Sequence, residues 1–180
     1  IEHVIARCPS APARILDLGT GTGAIILALL SHFKETKGVA VEISEAALSL
    51  AQENAGVLGL SERLEFLSGP WFQPLAASER FDLIVSNPPY LTEREMTTAE
   101  PEVIGHEPAR ALVSGVDGLD DIRVLLAQTP KFLNPGGMLA LETGIAQHET
   151  LKQLAEAAML KNFESVEDLS GRPRFVFLRA

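Results

Sequence analysis

Arg14-Ile-Leu-Asp-Leu-Gly-Thr-Gly-Thr-Gly-Ala24 is the stretch that decides the fold. A short apolar run ends in glycine at 19, further glycines stand at 21 and 23, and Ala24 to Phe33 is apolar and of helix length. That order reads as strand, tight turn and helix, because glycine lets the backbone turn sharply and lie against a ligand without side-chain clash. The spacing is G-x-G-x-G. The dinucleotide fingerprint G-x-G-x-x-G needs a third glycine where this chain has Ala24. Alone, such a turn fits any tight strand-to-helix corner, so its neighbours carry the decision.

Downstream the same unit recurs. Gly38-Val-Ala-Val-Glu42 reads as a second strand, and Glu45 to Leu58 as a helix with Ser44 as its N-cap. Leu64 to Leu67 and Phe81 to Ser86 read as third and fourth strands, and Asp120 to Leu133 as a helix. Asn134-Pro-Gly-Gly137 reads as a turn, Met138 to Glu142 as a fifth strand, and Gln147 to Leu160 as another helix. At the end, Phe163 to Leu169 and Arg174 to Arg179 are strand-like and separated only by Ser170-Gly-Arg-Pro173, which predicts a hairpin. The expectation is an α/β, doubly wound, seven-stranded and mainly parallel sheet with one antiparallel strand. Upstream, Ile1, Val4, Ile5 and Cys8 fall at helical spacing, so the chain is expected to begin inside an amphipathic helix, with further sequence before it in the full gene product.

Bulk properties bound the function. The 180 residues, 46% hydrophobic and 22% charged, suit a single packed domain over 1–180. Twenty-four acidic against fifteen basic residues give a charge of −9, whose mean field repels a phosphate backbone and disfavours nucleic acid as direct substrate. No apolar run approaches the roughly 18 residues of a membrane span, and Ile1 to Cys8 lacks a signal pattern, so a cytoplasmic protein without membrane partners is expected. The single cysteine, Cys8, cannot form an internal disulfide and reads as a small apolar residue on a helix face. His3, His32 and His148 lack ligand spacing, so no metal is expected.

Two strand ends carry chemistry. Glu42 follows Gly23 by 19 residues and closes the second strand, where a carboxylate can accept both hydroxyls of a ribose lying over the first turn. Ser86-Asn-Pro-Pro-Tyr90 closes the fourth strand, and its two prolines stiffen the backbone around the Asn87 amide. Ligands of open α/β sheets bind beyond the carboxyl ends of the strands, so glycine loop, Glu42 and Asn87 to Tyr90 should converge. Asp17 is a candidate support for the loop and Asp82 a structural residue. An irregular stretch is expected from about Leu91 to Gly118, within which His106 and Glu107 read as loop-stabilising.

Asp17-Leu-Gly-Thr-Gly-Thr-Gly-Ala24 followed by Phe-Asp-Leu-Ile-Val-Ser and Asn87-Pro-Pro-Tyr90 resembles the HemK/PrmC glutamine methyltransferases of translation release factors. Glu107-Pro-Ala-Arg-Ala-Leu112, Gly115, Asp117-Gly-Leu119 and Trp71-Phe72 extend the resemblance, which runs through Arg172 and the final strand. It implies a class I, Rossmann-like methyltransferase using S-adenosylmethionine and releasing S-adenosylhomocysteine. Gly19, Thr20, Gly21, Thr22, Gly23, Glu42, Trp71 and Asn87 would hold the cofactor, with Trp71 stacked on the adenine. Asn87, Pro88, Pro89 and Tyr90 would hold the substrate, with Asn87, Pro88 and Tyr90 catalytic. The implied substrate is the glutamine N5 of the Gly-Gly-Gln motif in bacterial peptide chain release factors. The same tetrad also occurs in enzymes methylating adenine N6 or guanine N2 in DNA or RNA, the alternative reading.

By that resemblance the Asn87 side-chain oxygen and the Pro88 carbonyl accept the two amide hydrogens, and Tyr90 packs against the substrate or near the sulfonium. No general base is expected, because the nitrogen's proton becomes acidic only after transfer. Two departures stand out. Pro70 occupies a position where relatives commonly carry an acid, and the family's helical N-terminal domain with its Pro-Arg-Pro connection is missing from this stretch of chain.

Overall fold

The computed structural model describes residues 1–98 and 112–180. Seven strands form one sheet in the order β3-β2-β1-β4-β5-β7-β6. They are β1 (Arg14–Leu18), β2 (Lys37–Glu42), β3 (Leu64–Ser68), β4 (Phe81–Ser86), β5 (Leu133–Glu142), β6 (Lys161–Glu167) and β7 (Pro173–Arg179). Strands β1 to β5 are parallel to one another, whereas β7 runs antiparallel between β5 and β6. The reversal at β1, with β2 and β3 on one side and β4 on the other, is a topological switch point.

The helices are α1 (Glu2–Ala6), α2 (Ala24–His32), α3 (Glu45–Val57), α4 (Glu93–Thr98), α5 (Asp120–Phe132) and α6 (His148–Ala157), with one 3₁₀ turn at Ser61–Arg63. Alternate residues of each strand face opposite ways, so the sheet is buried on both faces. Leu16, Leu18, Ile84, Leu139 and Leu141 pack with Ile122, Leu125 and Leu126 of α5 and Leu151 of α6. Their neighbours Ile15, Ala40, Leu83 and Val85 pack on the other face with Ile26, Leu29 and Leu30 of α2 and Ala55 of α3. Phe81 is fully buried where β4 begins, and the Arg14 guanidinium lies 4.8 Å from its ring centre. Phe81→Ala should therefore cost about 3–5 kcal/mol, read as a lowered midpoint in chemical denaturation.

Most expected elements appear with their ends moved by a residue or two. Residues Asn134 to Gly137, expected as a turn before the fifth strand, belong to β5 itself: Phe81 pairs with Leu133 and Leu83 next with Met138, so the extra residues bulge out of the ladder. The first hairpin strand begins and ends two residues early and the second begins one residue early; Asp168 caps the connection between them, accepting from the Ser170 and Arg172 amides. The stretch expected to be irregular from Leu91 needs correction. Thr92 and Glu95 form a capping box, with Thr92 N donating to Glu95 Oε2 at 2.8 Å and Glu95 N to Thr92 Oγ1 at 3.0 Å, and this starts α4. Leu91 also bridges Val113 in parallel. Among the described residues no helix is long and apolar enough to cross a membrane.

Candidate active site

Register brings the predicted residues together. Leu18 pairs with Val41 on one side and Ser86 on the other, so Gly19, Glu42 and Asn87 are each the next residue at the carboxyl edge of three adjacent strands. Neighbouring strands lie about 4.8 Å apart, which makes these three tips the walls of one crevice.

The glycine loop is left-handed three times over, with φ of +69° at Gly19, +56° at Gly21 and +83° at Gly23. Only glycine adopts this freely. Gly19 and Thr20 both donate to the Val41 carbonyl, and Gly23 caps α2, so the helix amino end faces the crevice. A Cβ on Gly21 would meet no described residue within 4 Å, so among these the loop is open above it. The exposed Thr22 is held through its carbonyl by Asn54 Nδ2 of α3 at 2.9 Å.

Glu42 is buried, and its carboxylate fastens the loop to the next helix. Oε2 accepts from Gly21 N at 2.9 Å and Oε1 from Ser44 N at 2.8 Å. Each oxygen keeps a second lone pair for a ligand hydroxyl. Ile43, directly after it, leaves 65% of its surface exposed at this edge. Sequence reasoning missed Ile43, although a large apolar residue directly following a strand-end carboxylate is a readable signal.

Asp17 lies entirely beneath the loop. Its Oδ2 accepts from Thr20 Oγ1 at 2.7 Å, while Oδ1 has no hydrogen-bond partner among the described residues. Burial pushes the carboxyl up to about 7, the Thr20 hydroxyl opposes the shift, and nearby Glu42 adds to it. A raised folded pKa means that the native chain binds the extra proton, so stability from this group is full below about pH 4 and lost as pH rises to about 7. Asp17→Asn should gain stability relative to wild type across that window and level off above it, as read by denaturation midpoints from pH 4 to 8. A constant difference at every pH would remove Asp17 as the cause.

Trp71 stands beside the glycine loop. Its backbone is left-handed at φ +46°, and its ring edge would lie 3.3 Å from a Cβ on Gly19. Its Nε1 donates to Asp121 Oδ1 at 3.1 Å. The other oxygen of Asp121 accepts from Ser114 Oγ at 2.7 Å, and Asp121 N returns a bond to that hydroxyl at 2.8 Å. The ring is therefore braced from α5 and leans on the glycine loop. Asp121 and Ser114 were not anticipated, since nothing in a single sequence pairs residue 71 with residues 114 and 121. Pro70 is exposed and begins the turn that carries Trp71, with Gln73 N donating to its carbonyl.

On the third wall, Ser86 Oγ donates to Leu18 O at 2.6 Å and ties the tetrad to the start of the glycine loop. Asn87 is exposed and its side-chain amide makes no hydrogen bond with any described residue, whereas Pro88 is buried and Pro89 and Tyr90 are half-buried. Tyr90 is held rather than free: its hydroxyl donates to Glu142 Oε1 at 3.3 Å, and the Arg174 guanidinium lies 5.4 Å from its ring centre. Asp82 takes the structural part expected of it, accepting from Ala13 N, Arg14 N and Asn134 Nδ2. Residues 107–111 of the Glu107 to Leu112 motif, and His106, lie outside the described residues.

Comparison with known proteins gives the family and the fold. A family model described as a methyltransferase domain matches residues 10–172. A release factor glutamine methyltransferase of Cereibacter sphaeroides is 47% identical over 179 residues, covering 99% of this chain and 64% of its own. One from Rhodospirillum rubrum is 42% identical, covering 99% of this chain and 54% of its own. The chain thus spans between half and two thirds of these relatives' length. Among solved structures, the Thermus thermophilus 16S rRNA N2 G1207 methyltransferase with AdoMet and guanosine superposes with a TM-score of 0.64 at 21% identity. It covers 92% of this chain and 37% of its own, a likeness of fold.

Proposed function

Because the chain belongs to the methyltransferase-domain family, we propose that it transfers a methyl group from S-adenosylmethionine to the side-chain amide nitrogen of the glutamine in the Gly-Gly-Gln motif of bacterial release factors. One observation carries this: an exposed Asn87 amide, unbonded among the described residues, on a proline-stiffened corner one residue past the strand pairing that brings it beside the glycine loop. The release-factor names of relatives at 42 and 47% identity favour a protein substrate over a nucleobase, as does the net charge of −9.

The residues present fit the cofactor. Open space above Gly21 admits a ligand against the backbone, and the Glu42 carboxylate retains acceptor capacity for a ribose diol. Trp71 and the exposed Ile43 flank the Glu42 edge with apolar surface suited to a purine. Bound there, S-adenosylmethionine supplies an electrophilic methyl on a sulfonium.

The chain's own task is the nucleophile. An amide nitrogen is poor because its lone pair is delocalised, so the site must hold the NH₂ in line and restrict its rotation. Asn87 Oδ1 and the Pro88 carbonyl accept the two amide hydrogens, turning the nitrogen toward the methyl group. Pro88 and Pro89 hold that pair of acceptors at fixed geometry, since φ is locked at each ring. After transfer the nitrogen is positively charged and acidic, and its proton leaves to water. The cytoplasm, where release factors work, is the compartment this reading requires.

Full-length release factor incubated with this chain and S-adenosylmethionine should gain a single methyl on the Gly-Gly-Gln glutamine, located by tandem mass spectrometry. Methylation of duplex DNA or ribosomal RNA, with the release factor untouched, would favour the nucleic-acid reading instead.

A further inference from the structure

We infer that Gln147 is a positioning residue for the acceptor side of the site: its buried side-chain amide fixes the Tyr90 carbonyl and so holds the far end of the Asn87 to Tyr90 corner. This rests on the methyl transfer proposed above. Gln147 stands at the turn between β5 and α6, is 8% exposed, and uses both ends of its amide. Oε1 accepts from Gly144 N at 2.8 Å. Nε2 donates to Tyr90 O at 3.0 Å and Gly118 O at 3.1 Å, with Asp117 O at 3.4 Å. Three segments distant in sequence therefore meet on one side chain: the exit of the tetrad, the segment before α5, and the end of β5.

Only an amide does this. It offers an acceptor for the Gly144 amide and two donors for carbonyls, whereas a carboxylate would confront those carbonyls with negative charge. Space enforces the arrangement as well. Gly118 has φ +72°, and a Cβ on it would run into the Tyr90 carbonyl and the Gln147 amide. A Cβ on Gly144 would lie 2.9 Å from Gln147 Cδ. Both glycines leave room for this one contact.

The tetrad is thereby clamped at both ends. Ser86 Oγ holds the upstream end to Leu18 O, Gln147 holds the downstream end at Tyr90 O, and the two prolines between them remove most remaining freedom. Asn87, whose side chain makes no hydrogen bond among the described residues, takes its position from these anchors. A misplacement of about 1 Å at a reacting group can cost on the order of 100-fold in rate.

The chain supplies its own reporters, because Tyr90 is the sole tyrosine and Trp71 the sole tryptophan. 3-Fluorotyrosine gives one ¹⁹F resonance for the acceptor side, and indole emission reports cofactor titration at the glycine loop. Gln147→Glu keeps the shape and removes the donors; Gln147→Met keeps the volume and removes all three functions. In each, the Tyr90 resonance should shift or broaden and the turnover number should fall by roughly 100-fold, while cofactor affinity from Trp71 emission stays within about twofold. In Gln147→Glu, lowering the pH protonates the new carboxyl and restores one donor, so the resonance should move back toward that of wild type measured at the same pH. An unmoved Tyr90 resonance in both variants, or cofactor affinity falling in step with turnover, would overturn the assignment. If wild type fails to methylate a release factor, the proposed reaction falls, and the ¹⁹F comparison still judges Gln147.

Discussion

Asn87→Ala should lower methyl transfer to a release factor by about 1,000-fold or more, with the affinity for S-adenosylmethionine changed less than about twofold. The size follows from the nucleophile. An amide nitrogen attacks only when its lone pair is aimed at the methyl carbon, and one acceptor of the pair that aims it is the Asn87 oxygen; removing a preorganised partner at a reacting centre costs on the order of 100- to 1,000-fold. Loss of orientation for the bound glutamine adds to this. The selectivity follows from the structure. Asn87 is exposed and hydrogen-bonded to no described residue, Glu42 and the glycine-loop amides included, so its truncation leaves those anchors intact. Stability should likewise change by no more than about 0.5 kcal/mol, as for an exposed side chain without partners. Turnover by quantitative mass spectrometry and affinity by calorimetry on the same preparation separate the two claims. Wild-type turnover in the variant would end the assignment of Asn87 as acceptor.

The parallel sheet and its crevice were legible because they follow from local signals: glycines at 19, 21 and 23, a carboxylate at one strand end, and a proline-stiffened corner at another. Strand order then does the rest, since Leu18 pairs with both Val41 and Ser86 and places the three tips side by side. Most elements defined by short-range pattern came through within a residue or two, while β5 begins five residues early at Leu133 and α6 stops at Ala157 rather than Leu160. Helix α4 did not, although Thr92 and Glu95 spell its capping box, because a six-residue helix has too few apolar positions to display a period. The bracing of the site was illegible for a different reason. Trp71 is held from α5 by Asp121, and Tyr90 by Gln147, across sequence separations of 50 and 57 residues. A lone sequence carries periodicity and spacing, which are local, but it does not say which buried amide satisfies which distant carbonyl. Trp71 shows the same limit: the sequence offered its aromatic ring, but not that the ring edge leans on Gly19 and that the indole N–H is held by Asp121.

Glu42→Ala should weaken S-adenosylmethionine binding by on the order of 100-fold or more, and should also destabilise the chain, unlike Asn87→Ala. Both consequences come from one carboxylate with two employments. Toward the protein, Oε2 receives the Gly21 amide and Oε1 the Ser44 amide, so truncation leaves two backbone donors without their acceptor at a site only 8% exposed. That loss costs about 1–3 kcal/mol and loosens the middle of the glycine loop. Toward the ligand, the remaining lone pairs are the acceptors for a ribose diol, and two hydrogen bonds to a charged group are together worth about 3–6 kcal/mol. The two effects separate by temperature and by ligand. Calorimetric titration well below the variant's unfolding midpoint reads affinity alone, and adenosine should lose as large a factor as the full cofactor, whereas 2′,3′-dideoxyadenosine, which has no diol to present, should bind wild type and variant almost equally. Glu42→Gln, which keeps one carbonyl oxygen, should fall between them. If adenosine bound the alanine variant with unchanged affinity, Glu42 would be a loop strut only and the ribose would have to lie elsewhere.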